Sequence, residues 1–142
     1  MIQINKILFS LSVLLFSTQV SAFNIDGRKW PTGEIEFYVK INGTAASGSA
    51  WNAAFAAAMN DWTTQTSFNF ILREEYRDPC GRDGLNSVDF RNDLCGSAFG
   101  NNTLAVTLAK FEAAILGEPI IVETDIVIDK NNELDVYDGR LI

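Results

Sequence analysis

There is no histidine anywhere in the 142 residues. Imidazole is the most frequent general base of hydrolases and the commonest metal ligand, so its absence excludes Ser-His-Asp and Cys-His catalysis and any zinc site built on histidines. Cysteine is scarce, with only Cys80 and Cys95 in the chain. Basic charge is scarce too. Eleven Lys and Arg against 18 Asp and Glu leave a formal net charge of −7, which disfavours nucleic acid and anionic membrane surfaces as partners. No apolar run reaches the roughly 20 residues that a membrane-spanning helix needs, and neither an internal repeat nor a linker divides the chain.

What is present is globular in character, with 47% hydrophobic and 11% aromatic residues, above the range of disordered chains. The first 22 residues have the pattern of a secretory signal peptide: Lys6 for the positive region, an apolar stretch from Ile7 to Phe16, and Val20-Ser21-Ala22 as a small-residue cleavage site. Export to the periplasm or the extracellular space is the expectation. The residue directly after Ala22 is Phe23, not a cysteine that could take a lipid, so the processed chain, residues 23–142, is expected to stay off the membrane. The sequons at Asn42 and Asn101 matter only in a host that glycosylates exported proteins.

Alternation predicts a first strand over 34–41, with Ile35, Phe37, Val39 and Ile41 on one face. A small, polar loop follows, ending at Ser49, a candidate cap for a helix over 50–62. Trp51, Phe55, Ala58, Met59 and Trp62 fall at helical spacing and form one apolar stripe expected to anchor the core. Further strands are predicted over 67–72, 87–90, 104–108 and 122–128, with a helical turn or broad loop over 109–117. In the last strand Val122, Thr124, Ile126 and Ile128 face one way, and Glu123, Asp125, Val127 and Asp129 the other. One helix between the first two of five strands indicates an α/β domain, the helix backing a mainly parallel sheet.

In an exported chain the two cysteines are expected to form a disulfide, Cys80–Cys95, worth about 3 kcal/mol for a loop of about 15 residues. The acidic positions Asp125, Asp129, Asp135 and Asp138 suggest a calcium loop. The EF-hand pattern fails, since Leu134 stands where its sharp turn requires glycine. A looser oxygen site and a plain solvated turn both remain open.

Several stretches together resemble the N-terminal half of a matrixin-type zinc metallopeptidase of the metzincin group. Lys29-Trp30-Pro31-Thr32-Gly33, running into Ile35-Glu36-Phe37-Tyr38-Val39, is similar to the family's first strand and its leading tryptophan. The run from Phe55 to Trp62, followed by Thr66-Ser67-Phe68-Asn69-Phe70, resembles its backing helix and second strand. Thr103-Leu104-Ala105-Val106-Thr107 sits where the family has an antiparallel rim strand, and Glu123 to Asp129 looks like its last strand.

The resemblance implies a zincin-like mixed five-stranded sheet with one backing helix, the active-site helix being absent. It also implies ancestral peptide hydrolysis by a zinc-activated water, with structural calcium possible and Asp129 as its matching ligand. The motif H-E-x-x-H-x-x-G-x-x-H does not occur, Val106 replaces a rim-strand histidine, and Asn132 stands in place of a glutamate. The expectation is therefore a partial metallopeptidase domain with no catalytic residues and no zinc. Leu104, Ala105, Val106 and Thr107 would survive as the edge on which an extended peptide or protein substrate pairs. The alternative is a secreted, non-catalytic module that binds extended peptides at the same edge.

Overall fold

The computed structural model describes residues 27–113 and 117–136. The expected leader over 1–22 and the tail position Asp138 lie outside the described residues. Six elements follow in order: β1 (Glu34–Val39), α1 (Trp51–Gln65), β2 (Asn69–Arg73), β3 (Asn86–Arg91), β4 (Ala105–Glu112) and β5 (Ile120–Asp129). The five strands form one sheet in the order β2-β1-β3-β5-β4. The β1–β2, β1–β3 and β3–β5 pairs are parallel, and β4 runs antiparallel to β5 at the edge. The α/β class, the single helix and the mixed five-stranded sheet expected from the sequence are all present.

Alternation in β1 sets the core. Ile35, Phe37 and Val39 project to one face and are buried there together with Ile41 and Val88. Register carries the same face across the sheet, with Phe37 opposite Leu72, Val39 opposite Val88, and Val88 opposite Ile126. Helix α1 lies on this side, Phe55 meeting Phe37 at 5.6 Å between ring centroids and Trp51 meeting Phe90 at 5.0 Å. Such tilted aromatic pairs add to simple area burial.

Several expectations need correction. Ser49 does not cap the helix. Ala50 occupies the N-cap with no side-chain bond; Ser49 stands one residue too early, in a turn where its carbonyl accepts from Ala45 N at 2.8 Å and its hydroxyl accepts from Ser47 Oγ at 3.4 Å. Gly48, at φ +86°, makes that turn possible. Asn52 fixes the helix start instead, its Oδ1 accepting from Ile41 N at 2.6 Å.

The helix also runs three residues beyond Trp62, to Gln65, and Trp62 is 62% exposed rather than an anchor of the core. Its angle on the helix is that of the stripe, so its exposure comes from its place along the axis. Fifteen helical residues extend about 22 Å, against about 17 Å for the five residues of β2. Where a turn or loop was expected over 109–117, β4 continues to Glu112 with a register shift between Lys110 and Phe111; positions 114–116 lie outside the described residues.

Candidate functional site

The face of the sheet opposite α1 carries Ser87 and Asp89 from β3, Glu123, Asp125, Val127 and Asp129 from β5, and Val106, Leu108 and Lys110 from β4. It is covered by chain from either side of β3, tied together by Cys80–Cys95. The disulfide has an S–S distance of 2.02 Å and a Cα–Cα separation of 5.5 Å, ordinary geometry for a bridge. Local side-chain bonds shape the covering segments. Asp78 Oδ1 accepts from Cys80 N, Asp83 Oδ1 from Leu85 N, and Asp93 Oδ1 from Gly96 N. These are turns in which an aspartate replaces a backbone acceptor.

Between the bridged segments and the strands lies a cavity of about 490 Å³, lined by the disulfide, Leu94, Leu108, Lys110, Glu123 and Asp125 among others. Two carboxylates at alternate positions of β5 share it. Asp125, 3% exposed, is held by β3: its Oδ1 accepts from Ser87 N at 3.1 Å and from Ser87 Oγ at 2.7 Å. Burial pushes the Asp125 carboxyl up to about 6; the Ser87 bonds oppose this and the Glu123 charge adds to it.

Glu123 is 1% exposed, and neither of its oxygens has a hydrogen-bond partner. Lys110 Nζ stands 3.7 Å from Glu123 Oε2, too long for a hydrogen bond. The Lys110 side chain is itself 48% exposed, so its charge is shared with solvent. A carboxylate so deeply buried and so poorly partnered is costly.

At the start of β3, Asn86 stitches three strands. Its Nδ2 donates to Glu36 O at 2.8 Å and its Oδ1 accepts from Thr124 N at 2.8 Å. Asn86 and Ser87, the first two residues of β3, therefore fix the position of the β5 carboxylates.

The residues expected to matter from the sequence fall in two places. Leu104 immediately precedes β4, 54% exposed, its carbonyl accepting from Asp129 N at 2.9 Å. Ala105, Val106 and Thr107 open β4 and pair with Ile128, Val127 and Ile126. Because β4 ends the strand order, its outer backbone edge pairs with no strand among the described residues.

Asp129 sits at the end of β5 with its Oδ1 accepting from both the backbone and the side-chain nitrogen of Asn131 at 2.9 Å. It closes a turn. Asp135 Oδ1 accepts from Ser47 N at 3.0 Å, while Asp125 bonds to Ser87 and Asp129 to Asn131, so these three carboxylates have separate partners. Among the described residues no three Cys, Asp or Glu side chains gather for a metal, and both cysteines are bridged. The zinc that the resemblance implies has no fitting donor set here.

Sequence reasoning placed Glu123 and Asp125 on one face but missed them as a site. The available signal was the pair of acids at alternating positions of a strand otherwise rich in Ile and Val.

Compared with known proteins, the chain matches no family model, no curated protein and no solved structure. No helix among the described residues is long and apolar enough to cross a membrane.

Proposed function

We propose that these residues form the sheet portion of a matrixin-like metallopeptidase domain, supply no hydrolytic chemistry themselves, and hold an extended peptide along β4. The observation that carries this reading is the placement of β4. It is antiparallel, at the edge of an otherwise parallel sheet, with no strand among the described residues on its outer backbone edge. An open edge of eight residues presents alternating donors and acceptors to an incoming strand, and pairing through backbone alone needs no particular side chains. The ancestral reaction, attack of a zinc-activated water on a peptide bond, requires ligands that this histidine-free chain does not supply. The secretory leader and the disulfide support an exported setting.

A second reading, a free-standing secreted peptide-binding module, draws support from one observation. Ile126 and Ile128 are half-buried and packed against the core cluster on the α1 side, so that face of β5 is already covered by the described residues. Both readings place the peptide on β4. Fluorescence anisotropy with a labelled extended peptide and two copies, each N-methylated at one of the two alternating sets of residues, tests that placement. Binding lost on methylation of one alternating set and kept for the other is the expected result. Equal binding by the unmodified peptide and both methylated copies removes β4 pairing from consideration.

A further inference from the structure

A strand added along the outer edge of β4 sends every second side chain to the face that carries Leu108, Lys110 and Glu123. The cavity described above opens between β4 and the bridged segments on that same face. Strands lie about 4.8 Å apart, so an added strand runs about 10 Å from the β5 backbone. That distance is within the combined reach of a glutamate and a long basic side chain. Leu94, Leu108, Ala109 and the Cys80–Cys95 bridge give the cavity apolar walls, suited to an alkyl stem with a charged tip. At its base stands Glu123, buried, with both oxygens lacking a hydrogen-bond donor.

We propose that this cavity is a selectivity pocket for a lysine or arginine side chain of the peptide held on β4, with the cationic tip hydrogen-bonded to the Glu123 carboxylate. This rests on the β4 docking reading and adds a substrate class to it: extended peptides with a basic residue at one position of the cavity-facing alternation.

The local charges set the terms of the competition. Glu123 and Asp125 are the acids at the cavity, with Asp83 near enough to act on Asp125. Arg82 and Lys110 are the bases that line it. Of these, Lys110 approaches Glu123, at 3.7 Å and without a hydrogen bond. Both Glu123 oxygens are buried, so the N–H donors of an incoming ammonium or guanidinium reach bonding distance only as Lys110 gives way. A guanidinium can engage both oxygens at once. Lys110 is then displaced toward solvent, where half of its side chain already lies.

The experiment measures binding of three extended peptides that differ at one cavity-facing position: lysine, arginine and norleucine, the last keeping the stem and lacking the charge. Wild type, Glu123→Gln and Lys110→Gln are compared, with circular dichroism confirming that each variant keeps the wild-type fold. The expected result is at least about tenfold tighter binding of the basic peptides than of norleucine. That preference should vanish in Glu123→Gln. Lys110→Gln, which removes the internal competitor from a half-exposed position, should raise the affinity of the basic peptides severalfold.

Equal binding of all three peptides by the wild type overturns the pocket and leaves docking on β4 intact. So does a preference for the basic peptides that Lys110→Gln weakens. Failure of every peptide to bind overturns the docking reading and the pocket with it. If Glu123→Gln does not fold, the Lys110→Gln gain and the lysine–norleucine difference in wild type still decide the matter.

Discussion

The Asp125 carboxyl offers a sharp test of how the face opposite α1 is built. Its ordinary value of 3.8 is pushed up to about 6 in the folded chain, chiefly by burial. The folded state thus holds a proton on Asp125 across a range where the unfolded chain has lost it, so stability from this group is fully present below about pH 3.8. It falls as pH rises through about 6. Between pH 7.5 and pH 5 the linkage relation gives a gain of about 1.4 kcal/mol on acidification, and about 3 kcal/mol is the limit at lower pH.

Asp125→Asn keeps an acceptor for Ser87 N and Ser87 Oγ and removes the titration. The variant should be more stable than wild type at pH 7.5 and should converge with it as pH falls. Asp89, raised by desolvation in the same direction, is common to both proteins, as are Glu36 and Asp135, both lowered. The difference between the two proteins therefore isolates Asp125. Urea unfolding followed by tryptophan fluorescence at pH 7.5, 6 and 5 measures it; in thermal scans the same change is about 4–8 °C. Parallel pH profiles for the two proteins would refute the argument, and with it the claim that burial outweighs the two Ser87 bonds.

Breaking Cys80–Cys95 by Cys80→Ser plus Cys95→Ser should cost about 3 kcal/mol in urea unfolding; an unchanged midpoint would mean that the covering segments are held without the bridge. The purified chain should release no fragments from an unfolded protein substrate with or without added zinc, and zinc-dependent cleavage abolished by a chelator would contradict the reading of its chemistry. Phe55→Ala, which removes the half-buried partner of Phe37, should destabilise by about 2–3 kcal/mol, somewhat under the loss at a fully buried site. Trp62→Gln, at an exposed position, should shift stability by less than about 0.5 kcal/mol. Reversal of that order in a thermal melt would put the wrong end of α1 in the core.

The strands were legible because each writes its own alternation. Ile35-Glu36-Phe37-Tyr38-Val39 names its buried face without help from the rest of the chain, and the structure buries Ile35, Phe37 and Val39. The disulfide was legible because two cysteines allow one intrachain pairing. Burial of the acidic face of β5 was not legible. Alternation says that Ile126 and Glu123 point opposite ways, but it cannot say which side a distant segment will cover. Here both sides are covered, and the acidic one is the deeper: Glu123, Asp125 and Asp129 are buried while Ile126 and Ile128 are half-buried. The helix cap was misread by one residue. Ser49 has the right chemistry for an N-cap, yet it stands in the Ala45–Ser49 turn and Ala50 takes the position.

Those buried acids bear on why β3 begins as it does. A strand entering the middle of a sheet would ordinarily start on apolar residues, since both of its faces are covered. β3 starts instead with Asn86 and Ser87, 7% and 1% exposed. Each side chain reaches β5: Asn86 to the backbone of Thr124, Ser87 to the carboxylate of Asp125. A one-residue slip of β3 against β5 would break both contacts and leave an unpartnered amide, hydroxyl and carboxylate inside the sheet, each costing about 1–3 kcal/mol. Apolar pairs such as Val88 opposite Ile126 would also change faces under such a slip. The polar contacts add a penalty of chemical type to the geometric one, and this fixes the register at the position where Asp125 and Glu123 must meet the cavity. Within the described residues Glu123 has the charge of Lys110 at 3.7 Å, but its oxygens are left without hydrogen-bond donors. The basic side chain proposed for the cavity would bring the donors that the sheet does not supply.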